Sequence, residues 1–280
     1  MKPHSSIYAS TACLGGAQPL TDRLRLYREL GMEAVELGDK VTIEGACTSQ
    51  LLGPGPYLLH NYFPPPPEPF VLNLASVDAR IRERSMALVR RALSLSAALG
   101  APLYSVHAGF VTDPTLAFIF PKPDRPDAGQ EALRRFVESI RGLLPFAERA
   151  GVRLLVENNV CERHNMGTLL LQTTDEFQEF FGMIASPFLG ILVDTGHLNV
   201  SAATYGFNRM EFIAVLAPYI GAFHLHDNDG SADQHRPVEE GSWITGVLRT
   251  PALQSLPWIM EAKFPNGEAL LAQRRFLETL

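Results

Sequence analysis

The chain has 280 residues, 46% of them hydrophobic and 19% charged, with a net charge of −6. Such a chain is globular and can bury a large core, and its acidic balance argues against nucleic acid or an anionic membrane as a partner. No run reaches 18 apolar residues, no apolar leader stands at the N-terminus, and Cys13, Cys47 and Cys161 have no paired spacing; a cytoplasmic location, reduced thiols and no membrane span are expected.

Short apolar runs alternate with longer amphipathic segments along the whole chain. The runs at residues 7–13, 34–37, 57–62, 103–107, 152–157, 189–194, 221–227 and 258–261 predict eight strands. Helices are predicted at 20–30, 77–99, 131–150, 174–184, 209–219, 242–256 and 268–280, with a short one within 43–52. In the second of these, Ile81, Leu88, Ala92 and Leu95 fall near one face and Arg80, Arg82, Glu83, Arg90 and Arg91 flank it, before Gly100 and Pro102 stop it. Strict β/α alternation implies parallel strands, and eight units over this length predict an α/β fold, a single-domain (β/α)8 barrel. Two insertions interrupt the pattern. Residues 63–69 are a proline run, extended by necessity. Residues 110–130 form a long loop with the apolar patch Leu116, Ala117, Phe118, Ile119 and Phe120, expected to be either a lid or a contact between copies in a homo-oligomer.

The densest chemistry lies in His224-Leu225-His226-Asp227-Asn228-Asp229-Gly230, followed by Asp233 and His235. Imidazole and carboxylate leading out of an apolar strand are costly to desolvate unless partnered, and a divalent metal is the simplest partner. The other strands agree. The third ends at His60, the fourth at His107 and the fifth at Glu157; the sixth ends at Asp194, with His197 three residues on, and the eighth ends at Glu261. In a barrel these ends surround one point. Glu36 stands at the end of the second strand, as a further site group or a structural ion pair. His226 shares a face with His224 and is expected to support the ligands more than to join them, and Asp227 and Asp229 beside Gly230 also read as a turn.

These residues carry a resemblance. His60 with Tyr62, Asn73-Leu74-Ala75-Ser76, Val106-His107-Ala108-Gly109, Val156-Glu157-Asn158, Val193-Asp194-Thr195-Gly196-His197, His224-Leu225-His226-Asp227, Asp233-Gln234-His235 and Glu261 resemble the endonuclease IV branch of the xylose isomerase-like TIM barrels, from about residue 20 onward. That superfamily also holds sugar isomerases and epimerases. The resemblance implies that Glu157, Asp194, His224 and Glu261 are a metal tetrad common to both branches. It also implies that His60, His107, His197, Asp233 and His235 are the further ligands of a cluster of up to three Zn2+. There are departures: Glu239 stands where a glycine is expected, the proline run follows His60, and residues 39–56 carry one lysine, no arginine and no aromatic. A rim that binds DNA needs cations and stacking groups.

Two functions follow. In the first, a sugar or sugar phosphate isomerase or epimerase, one Mn2+, Mg2+, Co2+ or Zn2+ stabilises an enediolate while Glu157 and Glu261 exchange the proton, and His60, His107, His197 and Glu36 bind the substrate. In the second, the nine residues hold a multinuclear zinc centre that hydrolyses a phosphoester. The poor rim favours the first and a small-molecule substrate over nucleic acid.

Overall fold

The computed structural model describes residues 7–16, 18–38, 40–43, 45, 49–53 and 55–280. In chain order its strands are β1 (Ile7–Ser10), β2 (Gln18–Pro19), β3 (Val35–Leu37), β4 (Val41–Thr42), β5 (Tyr57–His60), β6 (Leu103–His107), β7 (Arg153–Glu157), β8 (Leu189–Asp194), β9 (Ile220–Leu225) and β10 (Trp258–Met260). Its α-helices are α1 (Leu20–Glu29), α2 (Ser49–Leu52), α3 (Ala79–Leu99), α4 (Ala128–Ala150), α5 (Thr174–Met183), α6 (Thr195–Tyr205), α7 (Arg209–Leu216), α8 (Trp243–Leu248) and α9 (Gly267–Leu277). Eight strands close one parallel barrel in the order β1-β10-β9-β8-β7-β6-β5-β3, and β2 pairs with β4 as a separate ribbon. All eight predicted strands are present and form the predicted (β/α)8 TIM barrel.

The helices end where the sequence supplies stops. Asp78 caps α3 by accepting from Arg80 N at 2.8 Å, and Gly100, at φ +69°, ends it in the left-handed conformation that glycine adopts freely. Thr173 and Glu176 form a capping box on α5. Two helical expectations need correction, and one helix was not expected. The helix predicted at 242–256 stops at Leu248, and that at 209–219 stops at Leu216 and finishes as a 3-10 turn, Ala217–Tyr219, containing Pro218. Helix α6 is missing from the sequence reading. Its residues from Thr195 to Ala202 are all buried, so no polar face alternates with an apolar one and no helical period appears. Among the described residues, no helix is long and apolar enough to cross a membrane.

The barrel interior is built in layers by the two-residue period of the strands. Its apolar layer is Tyr8, Leu58, Leu103, Leu155, Leu192, Ala222 and Ile259, with Ala34 packed against it. Two residues further along each strand, on the same face, come Ser10, His60, Ser105, Glu157, Asp194, His224, Glu261 and Glu36. Every apolar side chain is thus followed by a polar one at the C-terminal end. Outward neighbours such as Leu59, Val106, Phe223 and Met260 join the larger core beneath the helices.

Candidate metal centre

The polar layer converges on Glu157. Its Oε2 lies 3.5 Å from His60 Nε2 and 3.4 Å from His107 Nε2, and its Oε1 lies 3.4 Å from His224 Nδ1 and 3.5 Å from His197 Nδ1. His224 Nδ1 is also 2.9 Å from Glu261 Oε2 and 3.7 Å from Asp194 Oδ2. Donor atoms of Glu157, Asp194, His224 and Glu261 lie within 4.8 Å of one another, and so do those of His60, His107 and Glu157. A third group, His226, Asp233 and His235, meets the same limit, as does Asp194 with His197 and His226.

Five of these histidines have one ring nitrogen tied behind them and the other turned toward a carboxylate of the centre. His60 Nδ1 meets Ser105 Oγ at 3.0 Å, and His224 Nε2 meets both oxygens of Glu36 at 2.9 and 3.0 Å. His226 Nε2 meets Asp194 Oδ2 at 2.9 Å. His197 Nδ1 donates to Asn158 O at 2.9 Å, and His235 Nδ1 to Glu261 O at 3.2 Å. Such a backing bond fixes the tautomer and aims the free nitrogen, as metal-ligating histidines require.

Four buried atoms facing the centre have no hydrogen-bond partner: Glu157 Oε2, His224 Nδ1, His226 Nδ1 and Asp233 Oδ1. His224 Nδ1 is close to Glu261 without the alignment of a hydrogen bond. Buried polar atoms are rarely left unpaired, and each of the four belongs to a group that could hold a divalent cation, so the donor set fits a metal.

The charges are mutually supporting. Burial opposes ionisation of Glu157, but the imidazoles of His107, His224 and His60 outweigh it and hold the carboxyl well below the usual range. Burial is overcome in the same way at Glu261, chiefly by His224, and at Asp233, by His197 and His235. Burial also disfavours the charged form of His224 and His197. Glu261, Glu36 and Glu157 around the first, and Asp194 and Asp233 around the second, raise both well above the usual imidazole value. His107 goes the other way: desolvation outweighs the pull of Glu157 and, helped by His60 and His197, lowers its pKa.

The structure brings every predicted ligand into this cluster, together with Glu36. Glu36 is fully buried behind His224, against the side of the ring away from Glu157. Asp194 does two things: Oδ1 caps α6 by accepting from His197 N at 2.7 Å, while Oδ2 turns to His224 and His226. Several supports escaped the sequence reading. Asn158 pairs its side-chain amide with the backbone of Asp194 in both directions, at 2.8 and 3.1 Å. Thr195 Oγ1 donates to His226 O at 2.7 Å. A Cβ on Gly196 would fall 1.9 Å from the His226 ring, so only glycine lets that ring lie where it does. His60 and Asp194 at strand ends could be read from the sequence, but these contacts join residues far apart in the chain.

A model of the xylose isomerase-like TIM barrel family matches residues 24–279. The chain belongs to this family. It is 29% identical over 227 residues to a probable endonuclease 4 of Carboxydothermus hydrogenoformans, covering 75% of this chain and 72% of that one. It is 30% identical over 211 residues to a probable endonuclease 4 of Methanoculleus marisnigri, covering 69% and 68%. Among solved structures it is similar to a D-tagatose 3-epimerase-like protein, with a TM-score of 0.71 at 21% identity over 98% of both chains. It is similar also to endonuclease IV of Thermus thermophilus, with a TM-score of 0.62 at 19% identity over 99% of this chain and 100% of that one. The structural likenesses carry the fold, which the two kinds of enzyme share.

Proposed function

We propose that this chain is a multinuclear metal-dependent phosphoester hydrolase. The observation that carries the reading is the split carboxylate of Glu157, with Oε2 turned to His60 and His107 and Oε1 to His224, all at 3.4 to 3.5 Å. A carboxylate whose two oxygens serve separate ligand groups is suited to bridge two ions. His60, His107 and Glu157 would hold one; Glu157, Asp194, His224 and Glu261 would hold a second; Asp233 and His235 belong to a third group. The mixed imidazole and carboxylate donors favour Zn2+. When bound, such ions polarise a phosphoryl oxygen and supply a water nucleophile at neutral pH. The chain's part is to keep Glu157, Glu261 and Asp233 ionised, to aim the histidines through Ser105, Glu36 and Asn158, and to wall the centre with the barrel. The 29–30% identity to proteins named probable endonuclease 4 supports hydrolysis. The single lysine and lack of arginine or aromatics in residues 39–56 favour a small phosphoester over duplex DNA.

The sugar isomerase or epimerase reading retains one specific support. Glu157 and Glu261 approach His224 Nδ1 at 3.4 and 2.9 Å, which brings two carboxylates to one point, as a proton-exchanging pair requires. One experiment separates the two. The purified protein is assayed for metal content, for hydrolysis of bis(p-nitrophenyl) phosphate and sugar phosphates, and for deuterium uptake from solvent into ketoses. Two or more ions with phosphate release support the hydrolase; one ion with deuterium uptake would sink it in favour of the isomerase.

A further inference from the structure

The barrel strands from β5 to β10 lead to the ligands of the centre, whereas β1 ends at Ser10 and Glu36 of β3 backs His224. We infer that the sector over β1 binds a second phosphoryl group of the substrate, through Lys263 and the Gly15-Gly16 turn that Arg23 holds from beneath. The inference rests on the reading of the centre as a phosphoester site and deepens it by naming substrates that carry two phosphoryl groups.

Lys263 continues the alternation of β10 beyond the strand. Ala262 and Phe264 are buried in the core beneath the helices, so the exposed Lys263 shares with Glu261 the face turned to the mouth, one two-residue step or about 7 Å further out. Its backbone N donates to His235 O at 2.9 Å, which ties it to the edge of the centre. Its side chain leans over the end of β1, where Nζ donates to Ala12 O at 3.1 Å. An ammonium has three donors, so two N–H groups are left for a ligand.

The segment after β1 runs beside it: Phe264 N donates to Cys13 O at 2.9 Å, and Leu14 bridges Phe264 in parallel. Beyond Leu14 the chain turns at Gly15 and Gly16, both exposed, with open space where a Cβ would stand on either. Arg23 lies under this turn, fully buried, and its Nη2 donates to Gly16 O at 3.0 Å and to Gly15 O at 3.4 Å. In a planar trans peptide the N–H points opposite the C=O, so drawing the Gly15 carbonyl down to Arg23 turns the Gly16 N–H to the exposed side. Nε and Nη1 of Arg23 have no hydrogen-bond partner, and among the described residues neither Arg23 nor Lys263 pairs with a carboxylate. A buried guanidinium without a counter-charge is costly, and an anion above the turn offsets that cost. Two cations and an outward amide suit a dianionic phosphoryl group.

The test is titration calorimetry of the zinc-loaded protein with two probes whose C–P bonds resist hydrolysis, and zinc content is measured before and after. One probe is propylphosphonate; the other is its bisphosphonate counterpart, with a phosphonate at each end of the same three-carbon chain. The bisphosphonate should bind about tenfold more tightly. Lys263→Ala should lose that preference, and Lys263→Arg should keep most of it. Arg23→Met, with circular dichroism to verify its fold, should also reduce the preference, whereas general damage would weaken both probes alike; if this variant does not fold, the two Lys263 variants decide. Equal binding of the two probes by the unaltered protein, or a preference that survives in Lys263→Ala, would overturn the inference. If the protein then still hydrolyses bis(p-nitrophenyl) phosphate, the hydrolase reading stands. A preference that depends on Lys263, in a protein that hydrolyses no phosphoester, would keep the site and remove the hydrolase.

Discussion

The strand-borne and loop-borne parts of the centre are held by different physics. His60, His107, Glu157, Asp194 and His224 stand on strands tied into the barrel's parallel ladders, and Glu261 directly follows β10; an apolar layer lies beneath them. Asp233 and His235 stand on the segment between β9 and α8, and each side chain is 22% exposed. That segment is tied by individual bonds: Asp227 and Arg236 exchange backbone hydrogen bonds at 2.8 and 2.9 Å, Lys263 N donates to His235 O at 2.9 Å, and Asn228 Nδ2 donates to Gly196 O at 2.9 Å. His235 has a φ of +48°, a left-handed conformation that costs a non-glycine residue about 1–3 kcal/mol unless its surroundings impose it. The strand half is therefore held by the barrel's ladders, whereas the loop half is held by scattered bonds to neighbouring loops.

The sharpest way to break this contrast is at Glu157, the residue both parts of the strand half share. Glu157→Gln keeps the shape and removes the charge that offsets His60, His107 and His224. Activity should fall on the order of a thousandfold, and the strand half should lose metal, with the fold retained. A variant that keeps both its metal content and its activity would show that Glu157 bridges nothing.

The barrel and the strand half were legible in the sequence because both follow from one period. Alternation puts His60 on the face of Leu58, Glu157 on that of Leu155 and Glu261 on that of Ile259, and a closed barrel brings those faces to one point. Helix α6 was not legible, since burial on all sides erased its period, and β2 and β4 are too short to leave one. Glu36 was visible only as a lone carboxylate, because its partner His224 lies 188 residues away. The fit of Gly196 against His226 is likewise a fact of space, with nothing local to announce it.

Glu36→Gln tests the strand half one step back from the ions. Both carboxylate oxygens are within 3.0 Å of His224 Nε2, so the ring is oriented and made more basic from behind. The amide can accept that hydrogen bond but carries no charge. Zinc affinity of the strand half should weaken by about 10- to 100-fold, with activity recovering at high zinc. Unchanged affinity in a chelator competition would reduce Glu36 to a buried ion pair.

Proton release compares the two halves directly. Despite burial, Glu261 beside His224 in the strand half and Asp233 beside His235 in the loop half raise both imidazoles above the usual value, so each holds its proton to higher pH than a free histidine in the ion-free protein. Without metal, their pairs with carboxylates contribute stability that is fully present below the unfolded pKa of about 6.5 and is lost as pH rises through the raised folded values. Metal needs the neutral rings, so binding should release protons, and affinity should climb about tenfold per pH unit for each proton displaced. The carboxylates add nothing here, because they are already ionised. Titration calorimetry in buffers of different ionisation heat measures the count; zero protons released in either half would mean that its histidine holds no proton for the ion to displace.

The smallest effect is expected at Ser242, which touches only the loop half. Its Oγ donates to Asp227 Oδ2 at 2.6 Å and accepts from Ile244 N at 3.3 Å, tying the base of the loop to the start of α8. Ser242→Ala removes about 1 kcal/mol of hydrogen bonding, equivalent to roughly fivefold in an equilibrium constant. If the loop half must be closed to hold its ion, that loss should appear as weaker binding of the last zinc, with the tighter zincs within about twofold of the unaltered protein. Competition with a chelator of graded affinity resolves the separate steps. An equal loss at all of them would mean that the two halves close as one unit, and the division between strand and loop would then describe the route of the chain and not its energetics.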